Sequence, residues 1–166
     1  MVRPENIADF SGRIYKEANR LGNLVADIIQ LSRLDEQQDS TVSMESVELD
    51  ELAQDVVNNL RSHAEKKEIL LDYHGEPATI QGVRHVLYEM LYNIADNAVR
   101  YTNPGGHIHI YVGKRGGKPF YRVEDDGIGI PKSEQKRIFE RFYRVDKSRS
   151  KEVGGTGLGL SIVKHA

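Results

Sequence analysis

The sequence contains no cysteine and no tryptophan in its 166 residues. Without cysteine, disulfides and thiolate metal sites are excluded. No apolar run approaches the roughly 20 residues that cross a bilayer, and the opening Met-Val-Arg-Pro-Glu is not a signal peptide. Neither charge sign is in excess: 23 basic and 25 acidic side chains leave a net charge of -2, which offers no attraction for nucleic acid or an anionic membrane. The histidines, His63, His74, His85, His107, His109 and His165, show neither a Cys/His cluster nor His-Glu-x-x-His spacing, so no zinc-type site follows. No Ser/His/Asp arrangement, internal repeat or low-complexity tract is visible. The expectation is a soluble, cytosolic chain with no nucleic-acid partner.

What is present is ordinary globular composition, 39% hydrophobic and 29% charged, with room for one compact domain and an appendage. Residues from about 5 to 36 read as one long helix. Ile7, Ile14, Leu21 and Ile28 recur every seven residues, with Phe10, Leu24 and Leu31 at the companion positions and Glu17 as the polar interruption. Such a stripe is narrow and asks for a partner helix. No second long heptad helix exists in the chain, so the partner is another copy or an absent segment; packing along its own domain is the other reading. Glu36 to Ser46 is polar and reads as a linker.

A helix is expected over about 49–67, with Leu52, Val56 and Leu60 four apart. Ile69 to Tyr73 reads as a strand, and Thr79-Ile80 as the start of another that stops at Gly82. A third helix covers 83–101, burying Val86, Leu87, Met90, Leu91, Ile94, Ala95 and Ala98. After the turn Asn103-Pro104-Gly105-Gly106 comes period-two alternation. Ile108, Ile110 and Val112 face one way and His107, His109 and Tyr111 the other; Gly116-Gly117 then returns the chain through Phe120 and Val123. Pro131 is expected to open a short helix carrying Ile138 and Phe139. Residues 144–156 are charged and cannot form core, and a last helix starts near Gly157. The whole is α/β: a sheet covered by helices on one face, with a helical arm in front.

Several stretches carry chemistry. Asp125 follows a strand and precedes Gly127 and Gly129. A carboxylate there can accept from an exocyclic amine while the glycines let backbone approach a flat ring; an Asp-Gly turn is the simpler reading. Asn93 and Asn97 share a helix face. Their amide oxygens suit magnesium held mainly by phosphate and water; two buried amides tied to backbone are the alternative. Arg100, one turn on, can meet a phosphate or lie solvated. Gly155, Gly157 and Gly159 flank Thr156 and Leu158 before a helix, where free N–H groups favour anions. The pattern is neither a P-loop nor a dinucleotide fingerprint. Phe139, Phe142 and Tyr143 are expected to anchor the following segment on the core. Arg144, Lys147, Arg149 and Lys151 form a basic cluster, of which one or two can close on a γ-phosphate.

In this order the motifs resemble the catalytic domain of bacterial sensor histidine kinases. Asn93–Thr102 is similar to that family's N box, Asp125–Ile130 to its G1 box, Phe139–Arg144 to its F box and Gly155–Leu160 to its G2 box. Residues 5–36, ending Leu31-Ser32-Arg33-Leu34-Asp35, resemble the second helix of the family's dimerisation hairpin. The resemblance implies a two-layer α/β sandwich, the Bergerat ATP-binding fold, with residues 1–36 as partial hairpin, 37–46 as linker and 47–166 as catalytic domain. It implies ATP and Mg2+ as ligands. Asp125 would select adenine, with Tyr101, Gly127, Gly129, Gly155, Thr156, Gly157, Leu158 and Gly159 around the nucleotide. Asn93 and Asn97 would hold magnesium, and Arg100 and Arg144 would act on the phosphates. The implied partners are a hairpin or second copy carrying the phosphoacceptor histidine, and a response regulator; membrane attachment would come only through segments outside this chain.

Three departures stand out. The His-Glu-x-x-Thr-Pro-like acceptor motif is absent, so the chain reads as a fragment beginning after it. The family continues into a further strand where this chain ends at Ala166, and Val83 stands where an aspartate is frequent. Two other functions stay open. A gyrase- or Hsp90-type ATPase needs a glutamate base where Asn93 stands, and Glu89 is about 6 Å away along the helix axis at 1.5 Å per residue. A non-catalytic interaction module would make the heptad arm the function.

Overall fold

The computed structural model describes residues 4–36, 43–145 and 156–165. Its elements are α1 (Pro4–Glu36), β1 (Glu45–Glu48), α2 (Leu49–Lys66), β2 (Leu70–Gly75), β3 (Thr79–Gly82), α3 (Arg84–Tyr101), β4 (His107–Arg115), β5 (Lys118–Asp125) and α4 (Gly159–His165).

The principal sheet has the order β2-β4-β5. β2 runs parallel to β4, with Leu71 opposite Ile108 and Tyr73 opposite Ile110. A parallel pair needs a long crossover, and β3 with α3 supplies it. β5 returns antiparallel, with Val123 opposite Ile110 and Tyr121 opposite Val112. Gly116 and Gly117 both have positive φ, 59° and 76°, which a two-residue hairpin turn demands. The expected alternation holds: Ile108, Ile110 and Val112 are buried, while His107 is exposed.

Helices α2 and α3 cover the apolar face of this sheet. Leu52, Val56 and Leu60 from α2 meet Leu91 and Ala95 from α3 and the β4 isoleucines in one core. At roughly 25 cal/mol per Å2 of apolar surface removed from water, these side chains supply most of the drive for the two-layer arrangement. The other sheet face carries His74, His109, Tyr111 and Arg122; His74 stacks on Tyr111 at 4.9 Å, and the Arg122 guanidinium lies 4.4 Å over the Tyr111 ring.

Two expectations need correction. The stretch expected as a linker to residue 46 gives way at Glu45 to β1, which pairs antiparallel with β3, Val47 opposite Ile80. The domain therefore begins two residues earlier than expected, because pairing with a distant strand orders a segment whose own composition is polar. The helix expected from Pro131 is a run of turns instead, with Glu134 N–H bonded to the Pro131 carbonyl and Arg137 N–H to that of Glu134. These are three-residue closures; a single four-residue bond, from Ile138 N–H to the Glu134 carbonyl, joins them without propagating into a helix.

Along α1 the heptad stripe is uncovered: Phe10 is 66% and Ile14 62% exposed, and Leu21 and Ile28 are exposed as well. Among the described side chains of this set, Leu24 alone packs inward, against Leu158 and Ile162. The side chains of Ile7 and Leu31 lie outside the described residues. Among the described residues no helix is long and apolar enough to cross a membrane.

Candidate nucleotide site

Helix α3 is the spine of the site. Asn93 and Asn97 are both half-buried on it. The Asn93 amide nitrogen donates to the Glu89 carbonyl at 2.9 Å, which leaves Oδ1 as the free end. That oxygen faces the start of α4: a Cβ placed on Gly159 would lie 2.8 Å from it. The N-box asparagine and the last glycine of the second glycine-rich stretch are therefore in direct apposition, 66 positions apart in sequence.

The far end of α3 carries the first glycine loop. Asp125 ends β5 on the same parity as Tyr121 and Val123, toward the helical layer. Its Oδ1 accepts the Gly127 N–H at 3.0 Å, so the Asp-Gly turn does form and leaves Oδ2 unused by that bond. Gly127 sits against the Tyr101 carbonyl so closely that a Cβ would come within 2.5 Å of its oxygen. The Ile128 N–H donates to the same carbonyl at 3.2 Å. Asp126 turns to the opposite face, where the His107 backbone N–H and ring reach its two oxygens at 2.8 and 3.1 Å. Those bonds, the backbone one foremost, hold the Asp126 carboxyl below its ordinary value.

Phe142 and Gly157 join the remaining motifs. Both have positive φ, 62° and 78°, and the Phe142 N–H donates to the Gly157 carbonyl at 2.9 Å. A Cβ on Gly157 would meet the Phe142 backbone at 3.0 Å. Leu158 is buried, and its N–H reaches Thr156 Oγ1 at 3.4 Å. The expectation that Phe139 and Phe142 anchor this region by burying their rings is wrong: both rings are exposed. The anchoring is done by backbone, and by Tyr143, whose hydroxyl bonds Glu134 while Arg137 lies 4.1 Å over its ring.

Two arginines differ in their commitments. Arg100 is taken by Asp96, one turn back on α3. The Nε and Nη2 of Arg144 are buried without a hydrogen-bond partner among the described residues. Buried, unpaired N–H groups on a cation are costly and fit an anionic ligand. Gly155, Lys147, Arg149 and Lys151 lie outside the described residues.

Lys67 is a feature that sequence reading passed over. Its ammonium donates to the carbonyls of Val99, Arg100 and Thr102 at 2.7, 2.9 and 3.0 Å. A basic residue at a helix end is common enough that its composition gave no pointer to a second helix. The Asp96–Arg100 pair was legible as opposite charges four apart.

Residues 82–166 match the model of the family described as histidine kinase-, DNA gyrase B-, and HSP90-like ATPase. The chain belongs to this ATPase family. Its curated relatives include the sensor-like histidine kinase SenX3 of Mycolicibacterium smegmatis, 35% identical over 163 residues, and the sensor histidine kinase YkoH of Bacillus subtilis, 33% identical over the same length. Each alignment covers 98% of this chain but only 42% and 35% of those proteins. Among solved structures, the mycobacterial sensor histidine kinase MprB superposes with a TM-score of 0.64 at 28% identity, over 74% of this chain and 76% of that one. Full-length ShkA in complex with AMPPNP gives a TM-score of 0.75 at 26% identity, over 99% of this chain and 34% of that one. The α/β expectation is borne out: the fold is the mixed sheet with one helical layer found in this ATPase family.

Proposed function

We propose that this chain is the ATP-binding kinase portion of a two-component sensor, and that it transfers the γ-phosphoryl group of ATP to a histidine on a partner hairpin. The observation that carries the reading is the meeting on α3 of three motifs: Asn93 against Gly159 at mid-helix, and the Asp125–Gly129 loop hung on the Tyr101 carbonyl at the C-terminal end. Between them a nucleotide would place adenine at Asp125 and its phosphates toward the start of α4.

The donor set fits Mg-ATP. Asn93 presents an amide oxygen, Asn97 adds a second one turn on, and Arg144 has N–H groups that are unpaired among the described residues and suit an anion. Asn93 and Asn97 would hold magnesium, which when bound neutralises charge across the β- and γ-phosphates. In the transfer, an imidazole nitrogen attacks the γ-phosphorus. The bond to the β,γ-bridging oxygen breaks, and ADP leaves with that electron pair. Arg144, with the N–H groups around Gly157 and Leu158, would stabilise charge on the phosphoryl oxygens, and the rest of the acceleration would come from positioning. Asn93 has no basic group to activate water, and Glu89 lines a depression on the α2 side together with Leu52 and Asp55, which argues against a gyrase-type hydrolase. The uncovered stripe of α1 supports a second copy or a hairpin as partner, and a response regulator would receive the phosphoryl group.

The test is transfer of label from γ-labelled ATP to a separately supplied hairpin bearing the acceptor histidine. The expected result is acid-labile phosphate on the hairpin and none on this chain alone. Label on one of this chain's own histidines would show that the acceptor is misplaced. ATP binding without transfer would favour an interaction module, and steady phosphate release without acceptor a hydrolase.

A further inference from the structure

The three carbonyls that Lys67 engages are those of Val99 and Arg100 in the last turn of α3 and of its C-cap Thr102, where a helix leaves C=O groups without intrahelical partners. The cation complements the helix dipole there. One carbonyl of that stretch is not among its acceptors: Tyr101, which accepts Ile128 N–H and on which Gly127 rests. The division is clean. Lys67 takes residues 99, 100 and 102, and the first glycine loop takes residue 101. Lys67 is itself fixed, because α2 ends at Lys66 and the chain turns sharply through Glu68, at φ 58°, to bury Ile69. Glu68 extends the same junction, its carbonyl accepting Gly105 N–H at 3.1 Å. Burial, and then the charge of Arg100, lower the Lys67 pKa, while the three carbonyl dipoles act in the opposite direction.

We infer that Lys67 is a positioning residue for the adenine end of the nucleotide site: by clamping the end of α3 it sets the Tyr101 carbonyl, and through it the Asp125–Gly129 loop. This rests on the reading of that loop as the adenine-binding one. The role is indirect, since Lys67 touches helix carbonyls and not the loop.

Lys67→Met keeps the aliphatic stem and removes every donor; Lys67→Arg keeps the charge. In the full chain, Lys67→Met is expected to speed hydrogen exchange of the Ile128 amide while the Arg122 and Glu124 amides, which pair with Tyr111 and His109 of β4, keep their protection. ATP and ADP affinities are expected to fall by the same factor, about tenfold for charge-assisted hydrogen bonds lost at one remove, and equally with and without magnesium. Lys67→Arg should recover part of both effects. Loss confined to ATP with magnesium, or Ile128 exchange and affinity equal to wild type, would overturn the inference, as would uniform loss of protection across the sheet in both variants. A wild-type chain that binds neither nucleotide would instead overturn the adenine reading, and the inference with it.

Discussion

Asn93 and Gly159 face each other so closely that the glycine has no room for a methyl group: its Cβ would stand 2.8 Å from Asn93 Oδ1. In an ordinary helix start, Gly→Ala would gain up to about 1 kcal/mol from propensity. Here the clash is with a half-buried amide pinned to the Glu89 carbonyl, and overpacking of that kind costs about 1–3 kcal/mol. Gly159→Ala is therefore expected to lower, not raise, the melting temperature and to weaken ATP binding. In a double-mutant cycle, Asn93→Ala should relieve most of the stability loss. Additive losses in thermal denaturation would refute direct apposition.

That contact also marks the limit of what could be read from the chain. Helix α3 and the β4–β5 hairpin were legible because their apolar residues follow the two periods that separate helix from strand. Strand β1 was not. Of Glu45, Ser46, Val47 and Glu48 only Val47 is buried, and what makes the segment a strand is β3, more than thirty residues away. The glycines near residue 157 announced backbone freedom, but nothing local said that one of them leaves space for Asn93. The aromatic residues around 142 suggested buried rings, whereas a left-handed Phe142 secures the segment through its N–H.

Asp125→Asn separates the turn from the ligand contact. An asparagine Oδ1 can still accept the Gly127 N–H, so the loop should keep its shape. The second oxygen becomes an NH2, a donor facing the donor of adenine's exocyclic amine. The expected loss is about 1–3 kcal/mol of ATP affinity with an unchanged melting temperature. Calorimetric titration showing wild-type affinity would remove Asp125 from adenine selection.

Asn97→Ala should act through the metal. Losing one hard oxygen is expected to weaken ATP binding in the presence of magnesium by about tenfold and to leave metal-free ATP nearly unaffected. Equal losses under both conditions would make Asn97 a packing residue of α3.

The start of α3 offers a stabilising change. Val83 occupies the N-cap in extended conformation, φ -92° and ψ 111°, with no side-chain cap and no acidic residue in the first turn. Val83→Asp supplies an acceptor for the free N–H groups and a charge matched to the dipole, together about 1 kcal/mol. Some of this is offset by the half-buried valine methyls that are lost. A rise of about 1–3 °C in melting temperature is expected, with ATP affinity unchanged because the site lies further along the helix. A lower melting temperature would show that the apolar contact of Val83 outweighs the cap.

Asp126 gives the fold a pH dependence of known sign. Its carboxyl is depressed below the unfolded value of 3.8 by the His107 backbone N–H, then by the His107 ring. A carboxylate depressed in the folded state adds stability that is fully present above the unfolded pKa and is lost as pH falls through the folded pKa. Other carboxylates titrate in the same range, so the comparison between variants isolates this one. Asp126→Asn can still accept the backbone bond but binds no proton, so its melting temperature should fall less steeply than wild type as pH drops from about 4 to about 2. Gly106 reports on the same contact, since a Cβ there would lie 2.6 Å from Asp126 Oδ1; its amide shift should move in Asp126→Asn. Parallel melting profiles for the two proteins across that window would mean that His107 does not hold the Asp126 carboxylate in solution.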